Sequence, residues 1–415
     1  MQQYNNEALK NLMNSLTNSG ELTGDISGGQ FVSTIDISGG QYVSLSNISG
    51  TQSGGQQFSN QGLKELIRLA IKDGASDIHL SSGCLPALRV HGELNYIESS
   101  SVFSKNDLEK FIREILNDKQ YQRFADTGDL DFAFTFGTQR FRGSAYREMN
   151  GVSLTFRLVP SNIRTLDELG LPPILKSISQ KHRGLFLATG PTGHGKSSTL
   201  AAIISEINHK RKTHIVTIED PIEYVHTPAM SVIHQREIGH DTETFATGIR
   251  HVLRQDPDVI MIGEMRDLET IGAAITSAET GHLVFGTLHT QDASQSIERI
   301  VDVFPPHQQN QIRLQLAYTL IGICSQQLIP RDDVKGRICA TEIMITTPAI
   351  RASIREGKIS SIRNAMLTGM SFGMHTMEQD LVRWVKDGKI SRSTAKSFAY
   401  DQGDIERLMS TELPD

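Results

Sequence analysis

Between residues 190 and 198 the chain reads GPTGHGKSS. Gly190, Gly195, Lys196 and Ser197 fall on the pattern G-x-x-x-x-G-K-[S/T] position for position. Glycines at such places let backbone N–H groups wrap an anion without a Cβ in the way. A helix that starts at the lysine turns its positive end to the same point. The apolar run GLFLATG before the loop and a helical pattern after it supply the strand–loop–helix setting. Lys196 is then placed to reach the β- and γ-phosphates of a nucleotide, and the Ser197 hydroxyl to bind Mg²⁺. Pro191, Thr192, Gly193, His194 and Ser198 complete the loop, and the expected ligands are ATP and Mg²⁺.

A phosphate loop alone names no reaction, so the acidic groups matter. The β-branched run HIVTIE ends in Glu219-Asp220-Pro221-Ile222-Glu223, three carboxylates that either sit in a solvated loop or serve a cation or a water. Further on, DPDVIMIGEMRD carries the apolar run Val259–Ile262 and then Gly263 and Glu264. It resembles a Walker B strand, whose terminal acid lies beside magnesium and the attacking water, and Glu264 fits the water-activating base of phosphoryl transfer. A third buried-strand run, in AETGHLVFGTLHT, has His282 before it and His289 after it. These two histidines are read either as sensors of the γ-phosphate or as structural residues.

The elements that must position these groups follow an α/β pattern from Gly184 onward, with buried strands separated by helices. We read 183–345 as an α/β nucleotide-binding core and 346–415 as a C-terminal helical region. Before them, 61–160 reads as a small α+β domain. It has a helical stripe in GLKELIRLAIKDG, an N-cap at Ser104, and strand-like runs DLDFAFTF, RFRGSAYRE and GVSLTFRLVP. Residues 161–182 are a linker with one short helix. Residues 1–60 hold a Gly/Ser/Gln-rich repeat, DISGGQFVS (25–33) returning as DISGGQYVS (36–44). Its composition is that of a flexible tether, and its Phe-Val and Tyr-Val pairs beside Gly-Gly turns allow a short stack of strands instead.

Composition narrows the function. The apolar stretches of the 415 residues fall short of a membrane span, and MQQYNNEALK lacks the basic start and apolar core of a signal peptide. Three scattered cysteines build neither a disulfide framework nor a paired-cysteine zinc module, so a cytoplasmic protein is expected. A net charge of −6 with 6% aromatics argues against a nucleic-acid partner.

These residues together resemble the type IV pilus retraction ATPases of the secretion ATPase superfamily. The resemblance rests on SDIHL (76–80), GPTGHGKSS (190–198), TIEDPIEYVH (217–226), the run from Arg254 to Asp267, and AETGHLVFGTLHT (278–290). It implies a PAS-like N-terminal domain joined to the RecA-like ATPase domain, a homohexameric ring, and ATP bound between the two domains. It further implies that Glu223 and Glu264 are catalytic acids, that His282 and His289 are the paired histidines, and that Arg142 and Arg157 reach the phosphates, with Arg140 and Arg147 matching less well. The implied function is pilin depolymerisation and twitching motility. The implied place is the cytoplasmic face of the inner membrane, with a membrane platform protein and a second pilus ATPase as partners. An ATPase of a type IV secretion or conjugative pilus system is the alternative. The chain departs from the family at His194, where serine is usual, at Ala352 and Ser353 within AIRASIRE (349–356), and in the N-terminal repeat.

Overall fold

The structure, a computed structural model, describes residues 34–37, 41–44 and 61–412 apart from His91, Ser99, Thr138 and Ser161. The first two segments are strands β1 (Thr34–Ile37) and β2 (Gln41–Ser44), paired antiparallel with Thr34 opposite Ser44. They fall within a unit formed by residues 1–55, and everything below belongs to a second unit, 56–415. The second copy of the repeat thus supplies β2, while the flexibility expected of the rest of 1–60 lies outside the described residues.

The second unit begins with helix Gln61–Lys72, which buries Leu63, Leu66, Ile67 and Ala70, an i, i+3, i+4, i+7 stripe. Helix Lys105–Ile115 starts at a capping box. The Ser104 hydroxyl accepts from the Asp107 N–H, and the Asp107 carboxylate accepts from the Ser104 N–H. Both helices cover a sheet made of β3 (Asp77–Ser81), β4 (Ala87–Val90), β5 (Glu93–Tyr96), β6 (Asp129–Phe136), β7 (Gln139–Glu148) and β8 (Gly151–Leu158). Its order is β5-β4-β3-β8-β7-β6, antiparallel throughout. Strand alternation turns Phe132, Phe134, Phe141, Leu154 and Phe156 into one core. By the same alternation Arg140 and Arg142 of β7 and Arg157 of β8 fall on the opposite face, with Arg142 directly across from Arg157.

After helix Ile174–Ser179 comes a seven-stranded sheet of β9 (Gly184–Thr189), β10 (His214–Glu219), β11 (Val232–Glu237), β12 (Val259–Ile262), β13 (Leu283–Leu288), β14 (Leu320–Pro330) and β15 (Arg337–Ile345). The order is β11-β10-β12-β13-β9-β14-β15, parallel except for the β14–β15 pair. Every residue of β9, β12 and β13 is buried, as expected of parallel strands covered on both faces. The last residues of β9 and β13, Thr189 and Leu288, are paired, and Ile262 at the end of β12 lies across from Gly286. The segments that follow β9, β10, β12 and β13 therefore leave the same edge, where open α/β sheets bind ligands. Helices Pro348–Glu356, Ser361–Leu367, Met377–Lys386, Arg392–Phe398 and Gln402–Glu412 complete the described chain. The last three build a cluster with Ile329 of β14 and Ala340 of β15. No helix among the described residues is long and apolar enough to cross a membrane.

Candidate active site

The loop after β9 bends because its glycines adopt conformations closed to other residues. Gly190, Gly193 and Gly195 have φ of 135°, 79° and 86°, and a Cβ on Gly190 would run into the Gln326 carbonyl of β14. Helix Lys196–Lys210 then begins with no side chain capping its first turn, so its N–H groups stay available to an anion at the loop. Lys196 is buried, and its ammonium donates back to the carbonyls of Gly190 at 2.7 Å and Pro191 at 2.9 Å. Burial lowers its pKa, opposed by the charges of Glu264 and Glu223. A buried cation held only by loop carbonyls is primed for a stronger partner such as phosphate.

Glu264 follows β12 and is half-buried. It accepts from the Arg266 guanidinium and from His289 Nε2 at 2.9 Å. Because a carboxylate can only accept, Nε2 carries the imidazole proton, and His289 Nδ1 is free to accept from the Thr192 hydroxyl 3.3 Å away. Burial works against ionised Glu264, but the bonds from Arg266 and His289 outweigh it and hold its carboxyl below the ordinary value. A continuous chain thus runs from the phosphate loop through Thr192 and His289 to the carboxylate expected to act on water.

After β10, Glu219 is almost fully buried, and burial pushes its pKa up to about 7 against bonds from Thr217, Gln235 and the Glu223 N–H. Glu223, four residues on, is exposed. With Tyr224 it lines a cleft of about 240 Å³ whose other wall holds Arg142 and Arg157. Tyr224 shares a 2.6 Å hydrogen bond with the Ser198 hydroxyl, tying that cleft to the helix that starts at Lys196. Arg157 donates to Asp77 at 2.7 Å. Arg140 is engaged elsewhere, in a 2.8 Å ion pair with Glu237 at the end of β11. Arg147 stands over the Phe124 ring.

The family described as type II/IV secretion system protein matches residues 52–369. The type IV pilus retraction ATPase PilT of Pseudomonas aeruginosa is 46% identical over 338 residues, spanning 81% of this chain and 98% of that protein. The chain belongs to the type II/IV secretion system protein family. A twitching motility protein of Neisseria gonorrhoeae is 44% identical over 319 residues, 77% of this chain and 85% of its own length. A crystal structure of the pilus retraction motor PilT with bound ADP superposes with a TM-score of 0.77 at 42% identity, covering 83% of this chain and 98% of that one. The fold of this secretion-family protein is accordingly α/β, a RecA-like ATPase core preceded by a small PAS-like domain.

In this family member the expected residues do not all converge. His289, Glu264 and Thr192 meet at the strand edge where the helix of Lys196 begins, and Glu223 lines a cleft with Arg142 and Arg157. His282 does not join them, contrary to the pairing expected with His289. It precedes β13, whose six residues span roughly 20 Å, so the two histidines lie at opposite ends of the sheet. Its ring bonds the Ser277 carbonyl at 2.9 Å and the Thr280 hydroxyl at 3.2 Å, and its carbonyl accepts from Gly184 N–H. The arginine cleft is also separate from the phosphate loop, since no residue of 190–198 lines it.

His194 turns its ring away from the phosphate position. Its Nδ1 accepts from the Leu328 N–H at 3.1 Å and its carbonyl accepts from the Gln326 amide at 2.7 Å. Burial and then the charges of Lys196 and Arg337 lower its pKa, in keeping with a neutral, accepting ring. Arg266 and Gln326 were not singled out in the sequence. Arg266 carried a signal, two positions past Glu264, while Gln326 comes from a strand more than a hundred residues away and carried none.

Proposed function

We propose that this chain is a cytoplasmic motor ATPase that hydrolyses ATP to ADP and phosphate and spends the energy on type IV pilus retraction. The chain from Thr192 through His289 to Glu264 carries this reading, because it connects a phosphate loop to a carboxylate at the next strand end but one. On ATP binding, Lys196 leaves the loop carbonyls for the β- and γ-phosphates, and Gly190, Thr192, Gly193, His194, Gly195 and Ser198 offer backbone N–H groups to them, while Pro191, which has none, shapes the loop. The Ser197 hydroxyl, in the first turn of the helix after the loop, is a hard oxygen donor suited to Mg²⁺, which would neutralise phosphate charge. Glu264 orients the attacking water and takes its proton, and Thr192 reports the γ-phosphate to His289. Arg142 and Arg157 close on the nucleotide from the PAS-like side, toward Glu223 of the ATPase core. His282 is left out of this set.

The moving bodies are 61–160 on one side and 183–345 with 346–415 on the other, joined by 161–182. The support for retraction is the likeness to relatives bearing that name over most of both chains. We propose a homohexamer on the cytoplasmic face of the inner membrane, acting on a pilus platform protein and working beside a second pilus ATPase.

Purified Lys196→Ala should lose nucleotide binding, whereas Glu264→Ala should bind ATP normally with kcat reduced about 10²- to 10⁴-fold. Wild-type turnover by Glu264→Ala would remove Glu264 from the role of base. Deleting the gene tests the direction of the motor. Retraction predicts hyperpiliated cells, bald cells would make it an assembly motor, and unchanged pili would favour a secretion or conjugation system.

A further inference from the structure

The segment after β13, from His289 to Ala293, is fastened at three places. His289 bonds Thr192 and Glu264 at the phosphate loop, as described above. Two residues later the Gln291 carbonyl accepts from the Tyr400 hydroxyl at 2.8 Å. At the far end the Ala293 N–H donates to Glu342 of β15 at 2.9 Å, while Asp292 caps helix Ala293–Asp302 by accepting from the Gln295 N–H. From His289 to Gln291 there are at most ~7 Å of chain. Only two residues of chain therefore lie between a shift of His289 and the Tyr400 contact.

Tyr400 is itself bolted to the C-terminal helices. Its N–H and that of Asp401 donate to the same Glu378 oxygen at 3.1 and 3.0 Å. Glu378 is fully buried, and its other oxygen meets Arg363 at 3.0 Å. Arg363 also grips Asp404 of helix Gln402–Glu412 at 2.6 Å. Ser361, at the start of the helix carrying Arg363, bonds Ser353 of helix Pro348–Glu356 at 2.8 Å. One hydroxyl thus joins the nucleotide edge to a network spanning four C-terminal elements. Tyr400 lies beyond residue 369, where the family match ends.

We infer that residues 289–292 are a relay and that Tyr400 is the positioning residue passing the state of the nucleotide site to the C-terminal helices. This rests on the ATPase reading above. When the γ-phosphate is present, Thr192 and His289 hold the loop in one register, and the Tyr400 hydroxyl follows the Gln291 carbonyl. When it leaves, the loop relaxes and the strain is shared with Glu378, Arg363 and the helix Gln402–Glu412. The linkage is reciprocal in binding free energy, so loosening Tyr400 also loosens the register in which His289 is held, and a less well placed His289 and Glu264 slow the chemistry.

The full-length protein tests this with Tyr400→Phe, which removes one oxygen and keeps the ring. Its kcat should fall about 3- to 10-fold, the worth of the bond to the Gln291 carbonyl, with KM and the melting temperature close to wild type although the hydroxyl also bonds the Gln327 side chain. Hydrogen exchange of amides in 402–412 supplies a second readout. In wild type it should differ between the ADP-loaded and non-hydrolysable-ATP-loaded protein, and in Tyr400→Phe the difference should vanish. Exchange that ignores the nucleotide in wild type, or a Tyr400→Phe variant that keeps both the difference and the wild-type kcat, overturns the relay. So does a lowered melting temperature with unchanged kcat per folded molecule, which would make the contact structural. Wild-type protein that fails to hydrolyse ATP would instead defeat the ATPase reading, and the exchange comparison would still judge the relay.

Discussion

Glu342 keeps its carboxyl fully buried at the start of helix Ala293–Asp302, where burial pushes its pKa up to about 7; the Ala293 N–H opposes that shift, and the charges of Asp292 and Glu378 add to it. The folded chain therefore holds a proton that the unfolded chain has released between the ordinary glutamate value and about 7. Stability from this group is fully present below the ordinary value and is lost as pH rises toward 7, by up to about 1.4 kcal/mol per pH unit. Glu342→Gln is neutral at every pH and can still accept from Ala293. Its melting temperature should fall less than that of wild type between pH 5 and pH 7.5, and parallel curves would show that Glu342 is ionised throughout. His194 makes a contrasting case. Because its ring serves β14 rather than the phosphates, His194→Ser should cost about 1 kcal/mol of stability and leave kcat within about threefold of wild type. A hundredfold loss of kcat would mean that the imidazole touches the nucleotide.

Strand ends and tight loops set what the side chains can reach. Gly190 combines a φ of 135° with the Gln326 carbonyl lying where a Cβ would go, and that carbonyl is backbone inside a paired strand and cannot step aside. Gly190→Ala should weaken ATP binding about 5- to 150-fold, the equivalent of about 1–3 kcal/mol of local strain, while circular dichroism stays that of the folded protein. Nucleotide affinity equal to wild type would show the loop can rebuild around the methyl. The same elements explain what could be read in the sequence. β9, β12 and β13 were legible because each is a continuous apolar run ending in a residue type that phosphate chemistry demands, and the helices at Ser104 and Lys196 announce their own starts. His282 stands only seven positions from His289 in the sequence. An extended strand converts that short interval into the full height of the sheet. Gln326 and Tyr400 were silent because their partners, His194 and Gln291, are more than a hundred residues away, and a lone Gln or Tyr on a strand or loop gives no local sign of its contact.

At the scale of the whole molecule, the two sheets of the second unit meet where Arg140 of β7 reaches Glu237 of β11. Glu237 is largely buried and also accepts from the Ile222 N–H at 3.1 Å, so this ion pair braces the loop that presents Glu223. Beside it, Arg142 and Arg157 face Glu223 and Tyr224 of their own chain. That arrangement lets the arginines and the carboxylate approach the nucleotide together if the PAS-like domain closes on the ATPase core within one subunit. In the proposed homohexamer the alternative is that a neighbouring subunit supplies the arginines across the ring. Mixing two inactive variants separates these geometries. Lys196→Ala should abolish turnover, and Arg142→Ala should reduce kcat about 10²- to 10³-fold by removing charge stabilisation. If the arginine serves its own chain, rings assembled from both variants contain no complete site, and turnover should stay at the level of the Arg142→Ala protein alone. If it serves a neighbour, about a quarter of the interfaces in a random cyclic ring pair an intact Lys196 with an intact Arg142. Recovery of turnover toward that fraction would move the arginines to the adjacent subunit. The shared cleft with Glu223 predicts no recovery.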